Sequence, residues 1–569
     1  MCGIFAVYDQ NIENKEHLLN QAFDLLRHRG PDYKKKIINK NLCLGHHRLS
    51  IIDLDARSSQ PMSTPDGRYR LIFNGEIYNY LELRKEIKTK DWLTLSDSEV
   101  LLCLWEEYGP QALDKIHGMF AFIIFDSLKN ELHICRDRFG IKPIYYFKSK
   151  DCFIFSSEIK PIIKYVGCSH PNLNTIKSYL VDSLYDHTSN TFFEGVNKVE
   201  PGEIIKINLN NFKWSFNKWY NLSSKISKNK LNYNDTKKKL DHLLNKTINL
   251  HLNADVNIGL NISGGIDSSI LVKGIQKKDI IQTYLNQNFS EFSEIEWIKK
   301  LGVIDKTLAI RINSEMALSR LKTVNFSQEE PFGGVTVCGY DFLYEEAQKK
   351  NITVLLDGNG LDEMLCGYSK YLKKETINSK SLDGTELQNN KFLNSKFIEN
   401  NDLLSCKTED IFGNMAKNSS INDFLYYKVP RSLRFNDKIS MKSSKELRVP
   451  FLDHELVEFC FSIQDTYLIK NNLGKYILRD LLYDKTQNKE LCFSEKRSVQ
   501  SPQNQWITHE WYDYILEKIF KSSSLFDRNI FNNDKVINYF KSIKGKKLVN
   551  SFHIWQWINL ELWFKEFID

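Results

Sequence analysis

The feature that most constrains this chain is a change in the period of its apolar residues near Tyr233. Beyond that point, short apolar runs of strand length alternate with stretches whose apolar residues recur at helical spacing. Neighbouring parallel strands need a long crossover, usually a helix, so this alternation predicts a doubly wound parallel sheet. Ahead of Tyr233, apolar runs separated by turns predict an α+β unit with paired sheets. With 569 residues and about 150 residues per domain, a single small binding module is excluded.

In the first part, Ile4–Tyr8, Leu71–Phe73, Met119–Phe125, Leu132–Cys135, Ile144–Phe147 and Phe153–Phe155 read as strands. Leu81–Ile87 and Ser98–Tyr108 read as helices, the second with Asp97 as its N-cap. Residues 206–232 are irregular and rich in Asn, Ser and Lys, which predicts a linker strap between a domain at 1–205 and one at 233–569. In the second part, an amphipathic helix through Leu240 and Ile248 precedes a strand at Val256–Ile262 and a helix from Ser268. Further strands are expected at Ile280–Leu285, Thr307–Ile312 and Ile352–Leu356, with a polar loop or lid at Lys373–Lys417 and helices in the remainder.

The formal net charge of +7 is spread thinly, without a polybasic block, so nucleic acid is not an expected partner. Eleven cysteines without C-x-x-C spacing fit reduced thiols and a cytoplasmic location. The N-terminus lacks a basic leader, and the longest apolar run is far short of the ~20 residues that span a bilayer, so neither secretion nor a membrane partner is expected.

Two stretches carry chemistry. If Met1 is removed, Cys2 presents a thiol and an α-amine in one residue, and the amine, with an ordinary pKa near ~8, can take the thiol proton through a water. The alternative is that Cys2 is a small apolar residue opening a strand. Asn74 and Gly75 follow a strand, where a side-chain amide and a backbone N–H can form an oxyanion hole. Arg48 supplies a fork for a carboxylate, and Glu76 and Asp97 supply acids for an ammonium, the set needed by a free amino acid such as glutamine; each alone also reads as a turn or surface residue. The second stretch, Ser263-Gly264-Gly265-Ile266-Asp267-Ser268-Ser269, lies between a strand and a helix. Its glycine N–H groups, helix start and three hydroxyls suit phosphate, and it is not a Walker A loop. Asp267 fits beside phosphate through Mg²⁺, with Asp362 or Glu363 of the Asp357-Gly358-Asn359-Gly360-Leu361-Asp362-Glu363 loop completing the shell. A flexible Ser/Gly turn is the plainer alternative.

Cys2-Gly3-Ile4, Arg27–Asp32, His46–Leu54, Asn74–Asn79 and Arg136–Pro143 resemble the class II glutaminase domain of glutamine-hydrolysing asparagine synthetases. The Ser263–Ser269 loop, Asp362-Glu363, Arg448–Asp453 and Lys475–Arg479 resemble their synthetase domain, in the same order along the chain. The resemblance implies an N-terminal-nucleophile (Ntn) αββα sandwich followed by an α/β parallel-sheet domain of the adenine-nucleotide α-hydrolase (PP-loop) type. It implies that Cys2 hydrolyses glutamine, with Asn74 and Gly75 as oxyanion hole and Arg48, Glu76 and Asp97 holding the substrate. It implies further that ATP, bound by Ser263, Gly264, Gly265, Asp267, Ser268, Ser269 and Gly358, adenylates a carboxylate. Mg²⁺ would then lie on Asp267 and Asp362, Lys475 would neutralise phosphate charge, and ammonia would pass through an internal tunnel. A second copy of the chain, as a homodimer, is a candidate partner.

The chain departs from the pattern at Asn359, where such synthetases commonly carry Glu, at Leu361, where a small residue is usual, and at Lys438, where arginine is usual. An amide cannot accept a proton from attacking ammonium, so another carboxylate such as Glu330 or Glu363 does so, ammonia arrives neutral, or the acceptor is bound differently. The first reading, on the resemblance as a whole, is asparagine formation from aspartate. The second is amidation of another carboxylate, such as a uronic acid, by the same mechanism. A non-catalytic scaffold is the third, and it leaves Cys2 and the serine–glycine loop without purpose.

Overall fold

The computed structural model describes residues 1–87, 91–167, 169–275, 281–289, 292–372, 389–495, 501–521, 524–548 and 550–569. The N-terminal part holds two six-stranded antiparallel sheets. The first runs, edge to edge, Val196–Lys198, Tyr145–Lys148, Cys152–Ser156, Gly3–Asp9, Leu42–Arg48 and Tyr33–Asn39. The second runs Lys213–Lys218, Glu203–Asn208, Glu131–Arg136, Gly118–Asp126, Tyr69–Ile77 and Met62–Ser63. Ile4, Leu44, Ile72, Ile123, Phe155 and Ile205 fill the space between the sheets. Helices Glu16–Asp24 and Ile159–Val166 pack on the outer face of the first sheet, and Asp97–Tyr108 covers the second. These four layers are the αββα sandwich. Gly118–Asp126 is buried on both faces because it lies between a helix layer and the facing sheet, which explains its nearly unbroken apolar run.

The C-terminal part is built on five parallel strands in the order Thr307–Ile312, Ile281–Phe289, Ile258–Asn261, Val354–Leu356, Glu446–Arg448. Ile258–Asn261 comes first in the chain, and later strands are added on both sides of it. The loops after Ile258–Asn261 and Val354–Leu356 therefore leave in diverging directions, creating the crevice at which such sheets bind ligands. The two parts share one hydrophobic cluster, running from Phe5 and Tyr179 to Trp555 and Trp563. Among the described residues no helix is long and apolar enough to cross a membrane.

Several expectations are corrected. Residues 206–218 are not an irregular strap: Glu203–Asn208 and Lys213–Lys218 pair in register and extend the second sheet. Their outer strand is mostly exposed, so its composition resembles a loop. The N-cap of helix Asp97–Tyr108 is Ser96, whose side chain accepts from the Glu99 N–H, and Asp97 is the first helical residue. Strands Tyr33–Asn39 and Leu42–Arg48 were not expected from the sequence. Of the segment read as a lid, residues 373–388 lie outside the described residues, and the rest includes the short helix Ser395–Asn400.

Candidate active site

Cys2 immediately precedes the strand Gly3–Asp9 of the first sheet and is buried at 8% exposure. Its backbone N–H donates to Asn74 Oδ1 at 2.9 Å, and its carbonyl accepts from Arg29 Nε at 3.1 Å. The thiol lies 3.9 Å from the Leu49 carbonyl. Burial raises the thiol pKa despite the nearby N-terminal ammonium, so the sulfur needs a base to become a nucleophile. With Met1 in place the Cys2 nitrogen is an amide, and the base read from the sequence exists only once Met1 is removed. Met1 is itself buried, its ammonium 3.1 Å from Glu446.

Asn74 is fully buried, and while its Oδ1 holds Cys2, its Nδ2 has no hydrogen-bond partner among the described residues. A buried N–H without an acceptor costs about 1–3 kcal/mol and fits an acceptor brought by a ligand. A side chain at Gly75 would place its Cβ 2.1 Å from the Met119 carbonyl, so only glycine allows this strand to approach its neighbour. Arg48 donates to the carbonyls of Asp55 at 2.7 Å, Asp53 and Ile52, and to Ser59 Oγ. All four acceptors are neutral, so they orient the guanidinium without cancelling its charge.

Glu76 and Asp97 meet because the Asp97 carboxylate accepts the Ile77 N–H at 2.9 Å. Burial pushes the Asp97 pKa up to about 6. Burial and the neighbouring Glu446 carboxylate raise that of Glu76 well above the carboxylate range. Arg448 Nη2 lies 3.4 Å from Glu76, and Arg448 Nε donates to Glu446 at 2.6 Å. These two residues come from the last strand of the parallel sheet, and sequence reasoning gave them no role. A three-residue strand is too short to show a period. The same strand reaches the second site, since the Arg448 carbonyl accepts the Asp357 N–H at 2.9 Å.

The second site occupies the crevice of the parallel sheet. Ser263–Ser268, Gly358, Asp362 and Lys475 line a cavity of about 280 Å³. Lys475 Nζ lies 2.5 Å from Asp267 and 2.6 Å from Asp362, and both carboxylates raise its pKa against the effect of burial. Lys475 caps helix Tyr476–Thr486 in the left-handed region at φ 56°, a strained geometry held by its N–H bond to the Leu365 carbonyl at 3.0 Å. Gly367 adjoins it so closely that a Cβ there would lie 2.1 Å from Asp362 Oδ1. The hydroxyls are arranged differently from the sequence reading. Ser268 donates to the Ser263 carbonyl at 2.6 Å and Ser269 to the Gly265 carbonyl at 2.8 Å, so both brace the loop, and Ser269 does not line the cavity. Two hard oxygen donors converging within reach of one ammonium fit a divalent cation that also binds phosphate oxygens.

Asn359 stands between this cavity and a larger chamber, lining both. Its Nδ2 donates to Asp357 Oδ1 at 2.6 Å. Glu330 is not a substitute base there: it is fully buried at the domain junction, accepting the Phe192 N–H at 3.0 Å beside Arg434. Lys438 is also buried, paired with Glu329. Glu363 does line the chamber, and its Oε1 accepts from the Tyr368 hydroxyl at 2.7 Å.

Residues 1–220 match the glutamine amidotransferase domain family, and residues 239–565 match the asparagine synthase family. The chain is 29% identical to asparagine synthetase [glutamine-hydrolyzing] 1 of Bacillus subtilis, covering 99% of this chain and 96% of that one. It is 28% identical to asparagine synthetase [glutamine-hydrolyzing] 2 of the same organism, over 85% of this chain and 68% of that one. It is also 24% identical to the amidase chyE of Penicillium rubens, over 89% of both chains. The chain belongs to the asparagine synthase family of glutamine-dependent, ATP-using amidotransferases, with a glutamine amidotransferase domain at its N-terminus.

Proposed function

We propose that the protein hydrolyses glutamine at Cys2 and uses the ammonia to amidate a carboxylate activated by ATP. The observation that carries the first half is the unpartnered Asn74 Nδ2 beside Cys2. In this reading the Cys2 thiolate attacks the glutamine amide carbon, and Asn74 Nδ2 with the Gly75 N–H holds the oxyanion. Ammonia leaves, and water releases glutamate from the thioester. Arg48 takes the substrate α-carboxylate, and Glu76 and Asp97 take its ammonium. In the second half, an acceptor carboxylate oxygen bonds to the α-phosphorus of ATP and diphosphate departs. Ammonia then adds to the acyl carbon, AMP leaves, and one proton is released. The Ser263–Gly265 backbone and Gly358 cradle phosphate, and Lys475 offsets its charge. Asp267 and Asp362 would hold Mg²⁺, which supplies charge neutralisation on the phosphates.

Aspartate as acceptor, giving asparagine, is supported by the relatives. A different carboxylate, such as a uronic acid, is supported by Asn359 at the junction of cavity and chamber. Purified protein supplied with ATP, Mg²⁺ and glutamine should form AMP only when an acceptor carboxylate is present. Cys2→Ala should abolish glutamine use while ammonium chloride still supports amidation. Glutamine hydrolysis at the parent rate by Cys2→Ala would overturn the assignment.

A further inference from the structure

The chamber beyond Asn359 measures about 1240 Å³, against about 280 Å³ for the phosphate cradle it adjoins. Drug-sized ligands occupy pockets of about 300–1,000 Å³, so a free amino acid would leave most of this space to water. The wall is organised rather than open: the Val335 N–H donates to Gln503 Oε1 at 3.1 Å, and Gln503 Nε2 donates to Ser551 Oγ at 3.3 Å. Ser551 in turn donates to Asn504, which reaches the Leu548 carbonyl at 3.3 Å. Three segments far apart in sequence thus present amides and hydroxyls to one space.

The lining also carries charges of both signs. Among the described lining residues the carboxylates are Asp267, Asp362 and Glu363. Asp267 and Asp362 are paired with the Lys475 ammonium, whereas Glu363 accepts from the Tyr368 hydroxyl, a neutral donor. The lining cations are Lys428, Arg431, Lys546 and Lys547, the last two exposed. Neutral hydrogen-bonding groups in number suit a polyhydroxylated molecule, and exposed lysines in the lining suit a phosphate.

We infer that the acceptor is a sugar acid carried on a phosphate, its carboxylate at Asn359 and its phosphate toward Lys546 and Lys547. This rests on the ATP-dependent amidation proposed above. Ammonium chloride in place of glutamine makes the test independent of the glutaminase. The full chain is given ATP, Mg²⁺ and one acceptor at a time, and AMP and diphosphate are measured. The acceptors are aspartate, free glucuronic and galacturonic acids, their 1-phosphates, and their uridine-diphosphate forms. The phosphate-bearing acids should exceed the free acids at least tenfold in kcat/KM, with aspartate below both. The 1-phosphate and uridine-diphosphate arms separate a simple sugar phosphate from a nucleotide-linked one. Lys546→Ala with Lys547→Ala should raise KM for the phosphate-bearing acids five- to tenfold and narrow their lead over the free acids. Glutamate release from glutamine checks that the variant is folded. Aspartate as the best acceptor, or an equal loss for free and phosphate-bearing acids, overturns this inference and leaves the amidation reading standing. AMP formation with none of them, in protein that still hydrolyses glutamine, overturns both.

Discussion

Replacing Asn74 by Asp separates two jobs that one side chain performs. Asp keeps an oxygen for the Cys2 nitrogen, now held at 2.9 Å, and replaces the Nδ2 donor with a second carboxylate oxygen, which accepts where the amide donated. If that donor meets charge that develops in the tetrahedral intermediate, its loss costs about 2.7–4 kcal/mol, or roughly 10²–10³ in kcat. The substrate carbonyl is weakly charged in the ground state, so KM for glutamine should move by less than about threefold. Asn74→Ala loses the oxygen as well, and a further 0.5–1.5 kcal/mol, or roughly three- to tenfold, should follow from misplacing Cys2. The assay is glutamate release across a range of glutamine concentrations, without ATP or acceptor. A kcat for Asn74→Asp within tenfold of the parent, or a loss confined to KM, would refute the oxyanion reasoning.

Two further outcomes follow from the charges. Asp97, whose pKa is pushed up to about 6, must be ionised to pair with an ammonium, so kcat/KM for glutamine should fall as pH drops through 6. By pH 5 only about a tenth of the carboxylate remains ionised, a tenfold loss, and a flat profile between pH 5 and 7 would sink the role. Lys475→Met removes the cation between Asp267 and Asp362, which are 18% and 23% exposed. Breaking a fully buried pair costs about 3–5 kcal/mol, so this partly hydrated cluster should lose about 1–3 kcal/mol. The variant's melting temperature should fall without Mg²⁺ and rise more on adding it than the parent's does. Equal responses to Mg²⁺ would mean the carboxylates do not share a cation.

The sequence by itself determined whatever a short window can encode. The alternation beyond Tyr233 required a parallel sheet, because each strand and helix carries its own apolar period. The Ser263–Ser269 loop was legible for the same reason: strand, glycine turn and helix start are contiguous. Tertiary structure decided what depends on residues distant in the chain. Glu203–Asn208 and Lys213–Lys218 form strands because a sheet edge accepts their backbone, and an exposed edge needs few apolar side chains. Asp97 joins Glu76 only because the start of its helix packs against a strand twenty residues earlier. Glu446 and Arg448 reach Met1 and Glu76 from the other domain through a strand too short to carry a period. The sequence offered Glu330 as a candidate base in place of Asn359, yet burial beside Arg434 takes it to the domain junction, because a buried carboxylate follows its cation. The chamber is decided last, since its walls are side chains from separated segments whose meeting is a property of packing and of no local pattern.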